Sequence, residues 1–275
     1  MGRATARLFD AMAEDYDVLE PWYEHLYAVL HPIVLEALAP RDARGSRALD
    51  AGCGNGFQTA LLERLGYDTH GVDLAPGLLA TARRRLPASS LNLASVDALP
   101  YRDASFAAAV CCGSTLSFID DAGTALGEIA RVLEPGGRLL LEVEHRWSLD
   151  LAWTLISALG GDRLGYGVSP RQAWRALSHR PRDGYTVTYP AYGRLRLFTR
   201  RELRTLLRGA GLHPVRWWGI HTVTNLIPST ILHGERLGSR TAAVYRGLRR
   251  LDARWSTSSL AARTANSLVV LAEKR

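Results

Sequence analysis

The residues of this chain best placed to do chemistry stand in the stretch 49-LDAGCGNGFQTALLERLG-66. There Gly52, Gly54 and Gly56 are spaced GxGxG between a short apolar run and a helical pattern. A strand–glycine loop–helix unit brings backbone N–H groups and a helix N-terminus against a polar or anionic part of a ligand. Several cofactors use such turns, and the neighbouring residues discriminate among them. The dinucleotide fingerprint GxGxxG needs glycine at 57, where this chain has Phe57. Asp50 stands two residues before the first glycine. Asp73 ends the next strand-like run, where a carboxylate can accept hydrogen bonds from both hydroxyls of a ribose. The plain alternatives are a turn that needs positive φ and, for Asp73, a helix N-cap.

The elements that must position these residues alternate. Short apolar runs at 47–51, 68–73, 91–96, 106–112 and 138–144 predict strands, and amphipathic stretches at 56–65, 76–86 and 121–133 predict helices, the last stopped by 135-PGG-137. Two helices precede them, at 5–17 and 22–39. The alternation implies right-handed crossovers and a mostly parallel sheet covered on both faces. After residue 145 the rhythm breaks into an aromatic segment ending in a hairpin, 185-YTVTYPAYGRLRLF-198. It resumes with 199-TRRELRTLLRGAG-211, where Thr199 caps a helix, Glu202 takes the capping-box position and Gly211 closes it. A strand at 213–220 pairs with 267-SLVVLA-272 as a final antiparallel strand. The expected fold is therefore α/β: a Rossmann-like, seven-stranded, mostly parallel sheet with N-terminal helices and two cap insertions. The divisions expected are 1–45 as an N-terminal helical lid, 46–145 and 199–220 as core, 146–198 and 221–266 as insertions, and 267–275 as the last core strand.

Composition sets the class. Apolar content of 47% and charged content of 22% suit a soluble globular protein. The net charge of +7 rests almost wholly on arginine, Lys274 being the only lysine, so it says little about a nucleic-acid partner. Cys53, Cys111 and Cys112 show no metal spacing, and adjacent strand cysteines point to opposite faces, so buried packing is expected rather than disulfides. The N-terminus lacks an apolar signal core, and 26-LYAVLHPIVLEALA-39 is too short and interrupted to span a bilayer. A cytoplasmic protein is expected, as monomer or homodimer.

Five segments in register then resemble one family. The glycine stretch 49-LDAGCGNG-56 looks like motif I of the class I S-adenosylmethionine-dependent methyltransferases, in the ubiquinone/menaquinone C-methyltransferase-like branch. The segments 9-FDAMAEDYD-17, 71-GVDLAPGLLATARRR-85, 97-DALPYRDASFAAAV-110 and 128-EIARVLEPGGRLLL-141 resemble the branch's later motifs, with Ala75 and Ala107 as departures; 198–220 is similar to its FTxxELxxLLxxAGF pattern. The resemblance implies S-adenosyl-L-methionine as cofactor and S-adenosyl-L-homocysteine as its product. It implies that Gly52, Cys53, Gly54, Asn55 and Gly56 approach the methionine part while Asp50 helps hold its ammonium. Asp73 would bind the ribose diol, with Leu74 beside the adenine. Asp97 would accept from the adenine amino group, the Ala98 N–H would donate to the ring, and Leu99 would follow them in the site. Cys112, Gly113 and Ser114 would line the methionine side, with Tyr16 as a cover. A plain turn residue is the alternative for Asp97.

A sulfonium-bound methyl is already electrophilic, so such a protein needs alignment and water exclusion, and a base only where the acceptor has a proton to lose. The stretch 111-CCGS-114 lacks the (D/N/S)PP(Y/F) tetrad of amino methyltransferases and the Pro-Cys of cytosine-C5 enzymes. Where catechol-type enzymes place metal-binding acids, after the fourth and fifth strands, this chain has Cys112 and the 144-EHR-146 run, so no metal is expected. The insertions are aromatic (Trp147, Trp153, Tyr166, Trp174, Tyr185, Tyr189, Tyr192, then 217-WWGIHTVTNLIPSTILHG-234), which suggests an apolar pocket for a small lipophilic acceptor such as a quinone, phenol, polyketide or terpenoid-like metabolite. Cap core is the alternative for each. His145, at the end of the fifth core strand, is the candidate base, against a role as a hydrogen-bonded hinge residue. Tyr23, His25, His221 and Tyr192 are lesser candidates. In 236-RLGSRTAAVYRGLRRLDARW-255, Val244, Leu248, Leu251 and Trp255 share one helical face with arginines off it, a pattern for an anionic membrane surface, for phosphate groups, or for packing on the sheet. The competing functions are a cofactor-binding protein without methyl transfer, such as a scaffold or pericyclic catalyst, and a nucleic-acid methyltransferase; Phe57 opposes a nicotinamide oxidoreductase.

Overall fold

The computed structural model describes residues 3–11, 13, 21–40, 45–179, 183–189, 193–234, 237–258 and 260–275. Its strands, in chain order, are β1 (Arg47–Ala51), β2 (Asp68–Asp73), β3 (Ser90–Leu93), β4 (Phe106–Cys111), β5 (Leu133–Glu144), β6 (Tyr185–Tyr189), β7 (Gly193–Leu197), β8 (Leu212–Ile220) and β9 (Ser267–Lys274). Seven of them form one sheet in the order β3-β2-β1-β4-β5-β9-β8, while β6 and β7 pair as the expected separate hairpin. Pairing is parallel from β3 to β5, and β9 runs antiparallel between β5 and β8. The chain leaves β1 towards β2 on one side and returns to β4 on the other. That reversal opens a crevice at the carboxyl ends of the strands, where α/β sheets bind ligands.

Each central strand is buried on both faces, as a parallel sheet requires. In β1, Leu49 joins the core on one side and Ala48 that on the other; in β9, Leu268, Val270 and Ala272 oppose Val269. The helices that cover them are α1 (Arg3–Ala11), α2 (Pro21–Ala37), α3 (Phe57–Arg64), α4 (Pro76–Arg85), α5 (Ala122–Val132), α6 (Leu149–Leu159), α7 (Pro170–Ser178), α8 (Arg200–Gly209), α9 (Ser229–Leu232), α10 (Ser239–Trp255) and α11 (Ala261–Thr264). The segment expected as an N-terminal lid contributes α2 to the core itself: Leu26, Leu30, Val34 and Leu38 pack with Ala48, Val110, Leu140 and Val269. Arg138 of β5 donates to the carbonyls of Ala37 (2.8 Å) and Ala39, satisfying acceptors that the end of a helix leaves open. β5 also starts earlier than expected. Leu133 already pairs with Phe106, and the Pro135–Gly137 stretch is absorbed as an irregularity before Arg138 pairs with Ala108.

Thr199 caps α8 as expected, accepting from the Glu202 N–H at 3.1 Å. The reciprocal half of the box is replaced, because the Glu202 carboxylate pairs with Arg196 and ties the β6–β7 hairpin to α8. The two insertions dock on each other. Asp150 of α6 accepts from the Tyr166 hydroxyl at 2.6 Å, the Ser229 N–H at 3.0 Å and the Ser229 hydroxyl at 2.8 Å, and the Trp153 indole donates to the Asn225 carbonyl at 3.0 Å. Arg146 is buried and donates to the carbonyls of Ala176, His179 and Asp183, so its charge sits at the C-terminus of α7, where the helix dipole favours a cation. Among the described residues no helix is long and apolar enough to cross a membrane.

Asp252 fixes α10. One carboxylate oxygen takes the His25 imidazole at 2.9 Å and the His221 N–H at 2.9 Å; the other takes the N–H groups of Thr222 at 2.7 Å and Val223 at 2.6 Å. Those bonds hold the carboxyl below the ordinary range even against the cost of burial. Removing it strands a buried imidazole and several amides together. Asp252→Ala should therefore cost roughly 3–5 kcal/mol in chemical denaturation, the scale for stripping one partner from a buried charged network. A loss below about 1 kcal/mol, the size of a single ordinary hydrogen bond, would show that the network does not anchor the helix.

Candidate functional site

The glycine turn is held by its own amides. Gly52 and Cys53 both donate to the Val72 carbonyl, at 2.8 and 2.9 Å, and Gly56 donates to the Cys53 carbonyl at 2.8 Å. Gly54 donates to one Asp73 oxygen at 2.9 Å, and the Ala75 N–H to the other at 2.8 Å. The turn is thus hooked to the end of β2 at two successive residues. Gly52 has φ of 86°, and a Cβ there would run into the Thr115 side chain, so both backbone sign and space require glycine. With these amides engaged, the loop is not an open cradle for a phosphate. It suits a ligand met by side chains and by the walls around it.

Those walls line an open cleft at the carboxyl ends of β1, β2 and β4, about 610 Å³ when the solvent space at its mouth is counted. Of the expected residues, Gly52, Cys53, Gly54, Asn55, Asp73, Leu74, Cys112 and Gly113 line it. Among the described residues Asp73 is the one carboxylate there, raised above its ordinary range by burial and pulled back by the amides it accepts. Each of its oxygens takes one amide, which leaves acceptor capacity for a diol facing it. Leu74, Leu78, Ala94 and Val96 supply an apolar flank beside it, the surface a flat heteroaromatic ring needs. These residues fit an adenosyl group.

Several expectations are corrected. Asp50 is 1% exposed and lies behind the loop, accepting the Thr59 hydroxyl at 2.7 Å; burial pushes its carboxyl up to about 7, and it does not line the cleft. It clamps α3 to β1. The Ala98 N–H donates to the Ser95 carbonyl within a turn, and Leu99 is core, its N–H bound by Glu128 at 2.8 Å. Neither they nor Asp97 are among the lining residues; Ala94 and Val96, earlier in the same segment, take that place. Ser114 turns away from the wall, its N–H donating to Glu142 at 2.7 Å and its hydroxyl to Glu144 at 2.8 Å.

His145 is buried with its Nδ1 at 3.0 Å from the Ala265 carbonyl, and burial lowers its pKa to about 4. It faces neither the cleft nor water. His25 is spent on Asp252, and His221 is fully buried, stacked on Trp22 at 3.6 Å with Nδ1 bonded to Thr224. Tyr23 packs against Tyr27 and His233 outside the cleft. Tyr16 and Tyr192 lie outside the described residues, as does the Tyr189 side chain. The insertion aromatics that are described do not line the cleft either: Tyr166 is bonded to Asp150, Arg146 stacks on Trp147, and Trp174 is 66% exposed. The aromatic wall comes instead from Phe9 on α1, Tyr27 on α2 and Phe118 in the turn after β4, with Phe9 and Phe118 edge-to-face at 5.1 Å. Gln58 and Thr115 complete the lining. Phe9 opens the 9-FDAMAEDYD-17 segment, which was its only signal in the sequence; Tyr27 and Phe118 had none.

The residues that sequence reasoning missed most plainly are Glu142 and Glu144. Two apart on β5, they point to one face and bracket Ser114, beside the lining residues Gly113 and Thr115. Burial drives both carboxyls up, and the neighbouring Glu142 charge helps carry Glu144 to about 8; Asn266 donates to its second oxygen at 2.9 Å. At neutral pH Glu144 holds a proton at the edge of the site.

That raised carboxyl has a sign. Glu144 binds a proton in the folded state up to about pH 8 but only to about 4.5 in the unfolded chain, so its contribution is full below 4.5 and lost as pH rises to 8. His145 acts oppositely, its contribution being lost as pH falls from 6.5 to about 4, and it adds no slope above 6.5. Between pH 6.5 and 8 stability should fall with pH, and Glu144→Gln should remove up to roughly 1.4 kcal/mol per pH unit of that slope. Denaturation midpoints of both proteins across this window check it; parallel slopes would mean Glu144 is ionised when folded.

Comparison with known proteins places this geometry. Residues 49–141 match the family model described as a methyltransferase domain. A ubiquinone biosynthesis O-methyltransferase of Xanthomonas oryzae pv. oryzae is 33% identical over 134 residues, covering 47% of this chain and 56% of that protein. A malonyl-[acyl-carrier protein] O-methyltransferase of Halorhodospira halophila is 38% identical over 143 residues, covering 50% of this chain and 47% of that one. The match thus spans about half the length of these curated relatives. Geranyl diphosphate C-methyltransferase from Streptomyces coelicolor A3(2), solved with Mg2+, geranyl diphosphate and S-adenosyl-L-homocysteine, shares the fold with a TM-score of 0.56 at 15% identity, over 92% of this chain and 80% of that one. Residues 49–141 thus match a methyltransferase domain, on a fold that this chain shares with solved methyltransferases.

Proposed function

We propose that this protein transfers a methyl group from S-adenosyl-L-methionine to a small, lipophilic metabolite. The observation that carries the reading is the cleft itself: one carboxylate, Asp73, presented between a glycine turn and a wall of Phe9, Tyr27, Leu74, Leu78, Val96 and Phe118. When bound, S-adenosyl-L-methionine supplies a methyl made electrophilic by its sulfonium. Asp73 orients the ribose, and the apolar flank holds the adenine. Gly113 and Thr115 border the other end, where the acceptor approaches. The chain's remaining task there is to align the acceptor and keep water out, which is catalysis by proximity and orientation.

The acceptor class rests on the aromatic wall and on the relatives, which carry a quinone-pathway name in one case and a terpenoid diphosphate in another. No buried base comparable to His145 as expected faces the cleft among the described residues. An acceptor hydroxyl would therefore lose its proton to water. A nucleic-acid acceptor gains no support, since the cleft wall is apolar rather than basic.

Two outcomes test this. Asp73→Ala should weaken S-adenosyl-L-homocysteine binding by about 10–100-fold in calorimetry, the scale of one or two hydrogen bonds to a charged group. Unchanged affinity would remove Asp73 from the site. Incubation with S-adenosyl-L-methionine and a panel of quinols, phenols and prenyl compounds should give products heavier by one methylene in mass spectrometry. Methylation confined to polar amines or RNA would overturn the acceptor class.

A further inference from the structure

We infer that α10 docks this protein on an anionic lipid bilayer. Val244, Leu248, Leu251 and Trp255 fall at i, i+4, i+7 and i+11, one stripe of the helix. The fold does not bury that stripe: Val244 is 58% exposed, Leu251 45% and Trp255 50%. The side of α10 that packs inward is a different one, carried by Tyr245 and Asp252. Tyr245 donates to the Pro21 carbonyl at 2.7 Å, and Asp252 receives the network described above, so the helix is held firmly while its apolar stripe is presented outward. Leu260, just beyond the helix, is exposed as well.

Charge selects the occupant. Arg240 and Arg254 flank the stripe, Arg250 lies further round the helix, all three are exposed, and no ion pair involves them among the described residues. The one acid of the helix, Asp252, is buried and spent on amides. A second copy of this chain, paired through the stripe about a two-fold axis, would set these arginines against their own counterparts. A nucleic acid would satisfy the arginines and leave the apolar stripe in water. A leaflet rich in acidic lipid satisfies both, because the stripe enters the acyl boundary, Trp255 sits at the headgroups and the arginines meet phosphate. With 17 residues and a cationic flank, the helix lies in the membrane plane rather than crossing it. None of these residues lines the cleft, so the inference stands apart from the choice of acceptor.

Vesicle co-sedimentation of the full chain tests it. Vesicles containing phosphatidylglycerol should retain the protein at least about tenfold better than pure phosphatidylcholine at low salt, and high salt should abolish most of the difference. Leu251→Asp and the pair Arg250→Glu/Arg254→Glu should each release the protein while its melting temperature and S-adenosyl-L-homocysteine binding stay unchanged, since these side chains are exposed. Failure to bind phosphatidylglycerol vesicles at low salt overturns the inference. So does binding that both variants retain. A concentration-dependent dimer in sedimentation velocity that Leu251→Asp dissolves, without vesicle binding, would assign the stripe to self-association instead.

Discussion

The site depends on the two hydrogen bonds that the Asp73 carboxylate accepts from Gly54 and Ala75. They join the end of β2 to the turn after β1 and to the start of α4, beside the Gly52 and Cys53 amides that the Val72 carbonyl accepts. The same carboxylate lines the cleft wall. Position and chemistry are thus held by one side chain. The burial that makes those bonds strong also raises its pKa, and the amides offset part of that cost.

Further buried acids stand on β1 and β5. Asp50 behind the glycine turn and Glu142 with Glu144 on β5 all have raised pKa values, each driven first by burial. They serve different ends. Asp50 pins α3 through Thr59, whereas the two glutamates grip Ser114 through its amide and its hydroxyl. Ser114 has a φ of 58°, unusual for a residue with a side chain, and those two bonds are what hold it there. The turn after β4 is thereby fixed where Gly113 and Thr115 line the cleft.

Much of this was legible in the sequence. The strand–helix alternation, the final antiparallel strand and the hairpin all follow from period and turn chemistry, and Gly52, Gly54 and Asp73 stand where spacing put them. What the sequence did not show is mostly a matter of side-chain direction. His145 and Glu144 are neighbours at a strand end, and successive side chains there point to opposite faces, so choosing the histidine selected the wrong face. In the segment 97-DALP-100 the Ala98 amide is used by a local turn, which local sequence does not announce. Docking of the two insertions through Asp150, and the anchoring of α10 through Asp252, join residues far apart in the chain. No local pattern carries such information. The aromatics of the insertions likewise read as a pocket but pack as structure, while Tyr27 and Phe118, from elements with other signals, reach the cleft.

The central claim is that the glycine turn, closed by Asp73 and followed by Phe57, holds an adenosyl-sulfur ligand and not a dinucleotide. Parallel calorimetric titrations of the purified chain with S-adenosyl-L-homocysteine and with NAD+ test it most directly. Saturable one-to-one binding of the first with no heat from the second is the predicted result. Saturable binding of NAD+ with none of S-adenosyl-L-homocysteine would contradict it.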